Sequence, residues 1–386
     1  MKVALVSSSY APYAGGVEEH VRQTARALTA QGLCTEVWTV DRGEHLGERT
    51  VDGVRVRYLP TPLPARSGAA LAGFARRFPS AWRAWARARA EFRPDVVHVH
   101  CFGPNGLYAL GLHRLHGIPL AVTSHGETLG DDNGIFQRSA LLRRGLSAAI
   151  ARAEFVTAPS EYVLDDLRAG YGLTGGAVVP NGVDLDVTAS GAVVQQPPYL
   201  LGVGRLGRAK GFDLLIDAFA AARLPDECVL VIGGDGPEEH ALRVLAEQRG
   251  VAERVRLLGR LDAQAVADAM AGALAVVVPS RSEAFGIVAL EAWRAGAPLL
   301  MTERGGGRGF VRDGEDGLLV DPEDRGALAS ALRRLAEDEG LRRRLADAGR
   351  QRVGEFSWTG VAAAYRRRYD DIVRPEALTS SGSTER

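Results

Sequence analysis

Ser280-Arg281-Ser282-Glu283-Ala284-Phe285-Gly286-Ile287-Val288-Ala289-Leu290-Glu291-Ala292 follows the apolar run Ala275–Val278 and a single proline. An apolar run that turns into a helical pattern reads as a strand, its carboxyl-end loop and the next helix. That is the edge of a parallel sheet at which α/β proteins bind ligands. Glu283 precedes the helix and Glu291 lies within its first turns, so both carboxylates can face one cleft. Gly286, Ile287 and Val288, just after Phe285, occupy the helix start, where unpaired N–H groups point at an anion or a hydroxyl. Ionised carboxylates only accept hydrogen bonds, which suits a hydroxyl-rich ligand. A capping carboxylate plus a surface glutamate is the plainer alternative, and the sheet-edge context weighs against it.

Working outward, short apolar runs alternate with helical patterns in both directions, the signature of βαβ units. After a linker-like stretch ending Gln195-Gln196-Pro197-Pro198, strands are expected at Tyr199–Gly204, Val229–Gly233, Val255–Leu258, Ala275–Pro279, Leu299–Thr302 and Leu318–Val320. Before it they are expected at Val3–Ser7, Glu36–Val40, Val54–Tyr58, Val96–His100, Leu120–Ser124 and Phe155–Ala158. The expected architecture is two Rossmann-like, doubly wound α/β domains facing across a cleft, residues 1–185 and 186–356. A closing helix over 357–373 and a Ser/Thr-rich tail over 374–386, expected to be disordered, complete the chain.

The chain has 386 residues, more than the roughly 250–300 at which single cores stop growing, and 46% of them are hydrophobic, enough for a core in each half. A formal net charge of zero removes any global electrostatic case for nucleic acid. The first residues, Met1 to Ser7, are too short for a signal-peptide core and read as a buried strand, so the expected compartment is the cytoplasm. Cys34, Cys101 and Cys228 fit neither a disulfide framework nor a zinc set. Lys2 and Lys210 are the only lysines, all other basic side chains except histidine being arginine.

That bias draws attention to Gly202-Val203-Gly204-Arg205-Leu206-Gly207-Arg208-Ala209-Lys210-Gly211, again between a strand and a helix. Arg205 offers a planar fork for phosphate oxygens and Lys210 a mobile point charge. In the first half, Gly15-Gly16 joins a strand to a helix and lets backbone N–H groups approach a diphosphate, although the dinucleotide spacing is lacking. His125 ends a strand in Thr123-Ser124-His125-Gly126-Glu127, where an imidazole can meet a sugar or place an acceptor; by itself such a histidine is more often structural. His98 and His100 share a strand face but lack visible further ligands, which leaves core or cleft lining.

Together these segments, from Lys2 to about Tyr369, resemble family 4 of the retaining glycosyltransferases, which have the two-domain GT-B fold. The resemblance rests on Gly15-Gly16, His125, the crossover Asn181-Gly182-Val183-Asp184, Arg205 with Lys210, and above all Glu283 and Glu291 within S-x-S-E-x-F-G-x-x-x-L-E-A. It implies Glu291 on the ribose, Glu283 on the donor sugar, Arg205 and Lys210 on the diphosphate, Gly16 closing from the other domain and His125 near the transferred sugar. Base contacts are implied around Gly259-Arg260-Leu261. The pattern departs at Gly305-Gly306-Gly307-Arg308-Gly309, where the family usually has Gly-Gly-x-x-Glu, so the resemblance does not carry that glutamate's donor contact onto this chain.

The implied activity is sugar transfer from a nucleotide-diphosphate donor to a hydroxyl or other nucleophile, with retention and without cofactor or metal. Asp184-Leu185-Asp186 falls in the crossover and is read as coincidence. An epimerase, a phosphorylase and a catalytically silent sugar-nucleotide-binding subunit are the competing readings. For the acceptor, a small soluble natural-product intermediate is expected first and a lipid-linked or cell-envelope glycan second. That choice turns on Phe74–Phe92, where Arg76, Arg77, Arg83, Arg87 and Arg89 surround Trp82 and Trp85. Such a helix can dock on an anionic membrane. The plainer expectation is that Trp82, Trp85 and Phe92 pack on the sheet while the arginines stay solvated.

Overall fold

The structure, a computed structural model, describes residues 1–13, 15–64, 67–129, 134–191 and 197–373. The expected linker residues Gln195 and Gln196 and the tail from residue 374 lie outside them.

The first sheet holds β1 (Lys2–Ser7), β2 (Cys34–Val40), β3 (Glu48–Val51), β4 (Val54–Leu59), β5 (Val96–His100), β6 (Leu120–Thr123), β7 (Phe155–Ala158) and β8 (Ala177–Val178). Its order is β3-β4-β2-β1-β5-β6-β7-β8, parallel except where β3 runs antiparallel to β4. Helices α1 (Gly16–Ala30), α2 (Gly68–Phe92), α3 (Pro104–His116), α4 (Ile135–Arg138), α5 (Ala140–Ile150) and α6 (Glu161–Tyr171) connect the strands. The second sheet is parallel: β9 (Tyr199–Val203), β10 (Val229–Gly233), β11 (Val255–Leu257), β12 (Ala275–Val278), β13 (Leu299–Thr302) and β14 (Leu318–Val320), in the order β11-β10-β9-β12-β13-β14. Its helices are α7 (Phe212–Ala222), α8 (Glu239–Gln248), α9 (Ala263–Ala271), α10 (Ile287–Ala295), α11 (Arg325–Glu337) and α12 (Glu339–Arg352). The fold is GT-B: two Rossmann-like sheets clothed by helices on both faces.

Strands β3 and β8 were not expected. Glu48–Val51 is polar and mostly exposed, so it lacks the apolar signal of a core strand. Its turn was legible, because Asp52-Gly53 sits between two valines and both residues have positive φ, as a two-residue hairpin loop demands.

A last helix, α13 (Trp358–Val373), returns to the first domain. Trp358, Val361, Tyr365 and Tyr369 join Val3, Leu5, Val21 and Leu28 in one buried cluster. Helix α2 answers its expectation in part: Trp85 and Phe92 are buried, Trp82 is half-buried, and Leu71 and Phe78 stand in solvent. Phe78 and Trp82 meet α3 rather than the sheet, with ring centroids 6.1 and 6.2 Å from that of Tyr108. Among the described residues no helix is long and apolar enough to cross a membrane.

Candidate functional site

In each sheet the chain order reverses beside the first strand of its domain, between β1 and β5 and between β9 and β12. Such switch points leave a crevice beyond the carboxyl ends of the strands. Here the two crevices face each other and enclose a cavity of about 400 Å³.

From the second domain, β9 delivers the loop of Arg205 and Lys210, and neighbouring β12 delivers the loop of Glu283. Lys210 Nζ donates to Glu283 Oε2 at 2.7 Å, and Ser280 Oγ donates to the same oxygen at 2.8 Å. The Arg281 guanidinium, doubly bonded to Asp213 at 2.6 and 2.8 Å and donating to the Arg208 carbonyl, clamps the two loops together. Phe285 stacks beneath on Phe310, with ring centroids 4.4 Å apart. Gly286, Ile287 and Val288 open α10 into the cavity, and Glu291 lines it one turn on. Burial pushes the Glu291 carboxyl above the usual carboxylate range; Arg294 opposes the shift and the like charge of Glu19 adds to it.

From the first domain, Gly15 and Gly16 open α1 toward the same space, and a Cβ on Gly16 would lie 4.0 Å from Ile287 Cδ1. Two helix starts therefore converge on one volume, each with unpaired N–H groups and a partial positive charge. His125 lines the cavity from the end of β6. Its loop is held by Glu127, whose carboxylate accepts from the backbone N–H of His125 (2.7 Å), that of Phe102 (2.7 Å) and the Ser124 hydroxyl (2.9 Å).

Behind His125 lies a group of imidazoles. His100 Nδ1 meets His125 Nε2 at 3.3 Å, and His20 bonds Asn181 Oδ1 (2.7 Å) and the Tyr365 hydroxyl (3.1 Å). His98 bonds the Tyr369 hydroxyl (2.6 Å) and Thr123 Oγ1 (2.7 Å). Burial holds His20 down to about 4 and pushes His98, His100 and His125 well below the ordinary imidazole value, with neighbouring histidines adding to the effect in those three. All four are thus neutral at pH 7. Nitrogens of His20, His100 and His125 lie within 4.8 Å of one another, a donor set able to take a transition metal. Both nitrogens of His20 are already engaged, however, so we read the group as a hydrogen-bonded hub joining α1, the crossover and α13.

Gly259, Arg260 and Leu261 lie outside the lining of this cavity. Their strand, β11, is the sheet edge two places from β9, and Arg260 is drawn to Asp235 at 2.8 Å. Asp184 and Asp186 also stand apart, in the crossover, where the Asp184 carboxylate accepts from the Asp186 N–H. Gly309 is exposed, and a Cβ there would meet nothing within 4 Å.

Sequence reasoning passed over His20, Glu127 and Ser160. His20, one turn into α1 after the glycine pair, was the most legible of the three. Ser160 reads only as a residue before a helix, yet its hydroxyl crosses between domains to donate to the Ala284 carbonyl at 2.6 Å, beside a Tyr162–Ser282 hydroxyl contact at 3.1 Å.

Residues 14–187 match the model described as Glycosyltransferase Family 4, and residues 188–352 match that of Glycosyl transferases group 1. D-inositol 3-phosphate glycosyltransferase of Xylanimonas cellulosilytica is 31% identical, over 91% of this chain and 90% of its own. The chain is a family 4 glycosyltransferase. This glycosyltransferase is also 29% identical to phosphatidyl-myo-inositol mannosyltransferase of Mycobacterium leprae, over 96% of this chain and 97% of that protein. Among solved structures, sucrose-phosphate synthase from Thermosynechococcus elongatus superposes with a TM-score of 0.82 at 25% identity, covering 97% of the glycosyltransferase and all of that chain.

Proposed function

We propose that this glycosyltransferase transfers a sugar from a nucleoside-diphosphate donor with retention at the anomeric carbon, without a metal. The observation that carries the reading is the meeting of Arg205, Lys210 and two opposed helix starts in one cavity. Such a cluster receives the charge that grows on a departing diphosphate, fixed in place before the reaction begins. Residues 186–356 would hold the donor, with Glu291 accepting from the ribose and Glu283 from the sugar, and residues 1–185 would present the acceptor near His125.

In the proposed step the bond from the anomeric carbon to the phosphate oxygen breaks, and its electron pair leaves with the diphosphate. The acceptor oxygen bonds to that carbon from the same face and passes its proton to a departing phosphate oxygen. His125, neutral and held by Glu127, places hydroxyl groups rather than charge.

Incubation with a panel of sugar nucleotides tests this. Release of nucleoside diphosphate, undiminished by chelator, supports the reading, and binding without turnover supports a silent subunit instead. An inverted anomer by NMR of the product rules out retention.

A further inference from the structure

Outside the donor cleft, α2 and α3 enclose an open groove of about 600 Å³. Phe74, Phe78 and Trp82 form one wall along α2, with Phe78 stacked on Trp82; Leu63, Leu107 and Leu115 complete it. A Cβ on Gly111 would come within 3.0 Å of the Trp82 ring, so glycine there lets the indole lie flat on α3 as the floor. Tyr108 turns its hydroxyl away to the Pro62 carbonyl at 3.0 Å, which leaves Arg114 as the charged side chain of the lining.

The rim is apolar as well. Leu71, Phe78, Leu115 and Leu141 keep 48%, 38%, 67% and 43% of their surface in solvent. A contiguous exposed patch of this kind marks a binding surface.

Charge identifies the occupant. The chain is neutral as a whole, yet residues 67–90, 104–116 and 140–150, which build α2 up to its last turn, α3 and α5, contain no Asp or Glu. They carry Arg76, Arg77, Arg83, Arg87, Arg89, Arg114, Arg143 and Arg144. Arg77 and Arg83 turn Nε onto carbonyls of their own helix, at Gly73 and Pro79.

We propose that this face docks on an anionic phospholipid bilayer, with an acyl chain in the groove and lipid phosphates on the arginines. A solvated helix face would need no hydrocarbon-lined groove, and across α2, α3 and α5 the arginines meet a single acid, Glu91, which pairs with Arg87 at 2.7 Å. Each arginine at an anionic surface is worth roughly a fivefold gain in partition, and the buried rim side chains add to it. The proposal goes beyond sugar transfer and favours a lipid-linked acceptor over a small soluble one.

Trp82 supplies a reporter, because Trp38, Trp85, Trp293 and Trp358 are all buried. The full chain is incubated with vesicles of phosphatidylglycerol and phosphatidylcholine, or of phosphatidylcholine alone, with and without acyl chains brominated near the headgroup. Expected are co-sedimentation with the anionic vesicles only, and bromine quenching that disappears in Trp82→Phe. At least a tenfold loss of partition is expected in Arg76→Gln/Arg77→Gln/Arg83→Gln and in Phe78→Ser.

Absence of partition overturns the proposal. So does partition without quenching and indifferent to Phe78→Ser, which would be a headgroup contact with an empty groove. A self-associating chain that buries Trp82 without vesicles would assign the groove to a second copy and also overturns it. The variants lie away from the donor cavity, so nucleoside-diphosphate release should persist in all of them. Loss of vesicle binding with release intact counts against this proposal alone; absence of release in the wild type counts against the transfer reading alone.

Discussion

Lys210 and Glu283 are 73 residues apart in the chain and 2.7 Å apart in space. The pair has a built-in asymmetry, because Glu283 is buried at 8% exposure while Lys210 keeps its ammonium nearer the cavity. A diphosphate can recruit the ammonium, and the Glu283 oxygen is then free for a sugar hydroxyl. Lys210→Ala is expected to lower kcat on the order of 10²–10³-fold, the scale of one lost transition-state donor. Lys210→Arg should still lose about tenfold, because a planar fork cannot reproduce a compact ammonium against both carboxylate and phosphate. Steady-state kinetics with the active donor checks both. Glu291 adds a pH dependence. Burial raises its folded pKa, so it takes up a proton at higher pH than an ordinary glutamate, and the proposed ribose contact is expected to weaken early as pH falls. Donor Kd should therefore rise between neutral pH and the ordinary carboxylate range, and Glu291→Gln should flatten that dependence, measured by calorimetry.

At the scale of elements, the glycine-rich turn after β13 explains itself at one end and leaves the other open. Side chains on Gly305 and Gly306 would come within 2.1 Å of the Glu283 and Ala284 carbonyls, and Gly306 also faces Ser160 across the domains. Glycine at both positions is what allows this turn, the Glu283 loop and the start of α6 to pack together. Gly306→Ala should destabilise the protein by about 1–3 kcal/mol, as overpacking does, and weaken donor binding with it, both readable by thermal melts with and without donor. Gly309→Glu faces open space and should change stability by less than about 0.5 kcal/mol. It restores the acidic residue of the usual pattern, so any change in donor preference measured on a sugar-nucleotide panel reports that side chain alone.

Across the whole molecule, the return helix is tied to the first domain through neutral imidazoles. Tyr365 bonds His20, Tyr369 bonds His98, and Asn181 of the crossover bonds His20 from the other side. The ordinary value near 6.5 applies to the unfolded chain and about 4 to His20 in the fold. Between these the unfolded state binds the extra proton, so stability rises with pH across that window and levels off above it. Urea melts should show stability falling on acidification below pH 6.5, with His20 contributing across the window down to about 4. His20→Gln should remove that contribution, so stability falls less steeply on acidification below pH 6.5 while its pH dependence above pH 7 is unchanged.

The alternation of strands and helices, the two sheet-edge loops and the paired glutamates were all legible in the chain. They are written in near neighbours: periodicity, turn residues and helix starts act over a few positions. The hairpin strand β3 was legible only through its Asp52-Gly53 turn, since its side chains face water on a strand too polar to announce itself. What tertiary structure alone decided is which loops meet. Strand order sets Lys210 on Glu283, keeps Gly259–Leu261 out at the sheet edge, and gathers His20, His98, His100 and His125 from three distant segments. It also leaves Phe78 and Leu115 facing each other across an uncovered groove. Such juxtapositions depend on the sequence of crossovers through space, and local chain chemistry holds no record of them.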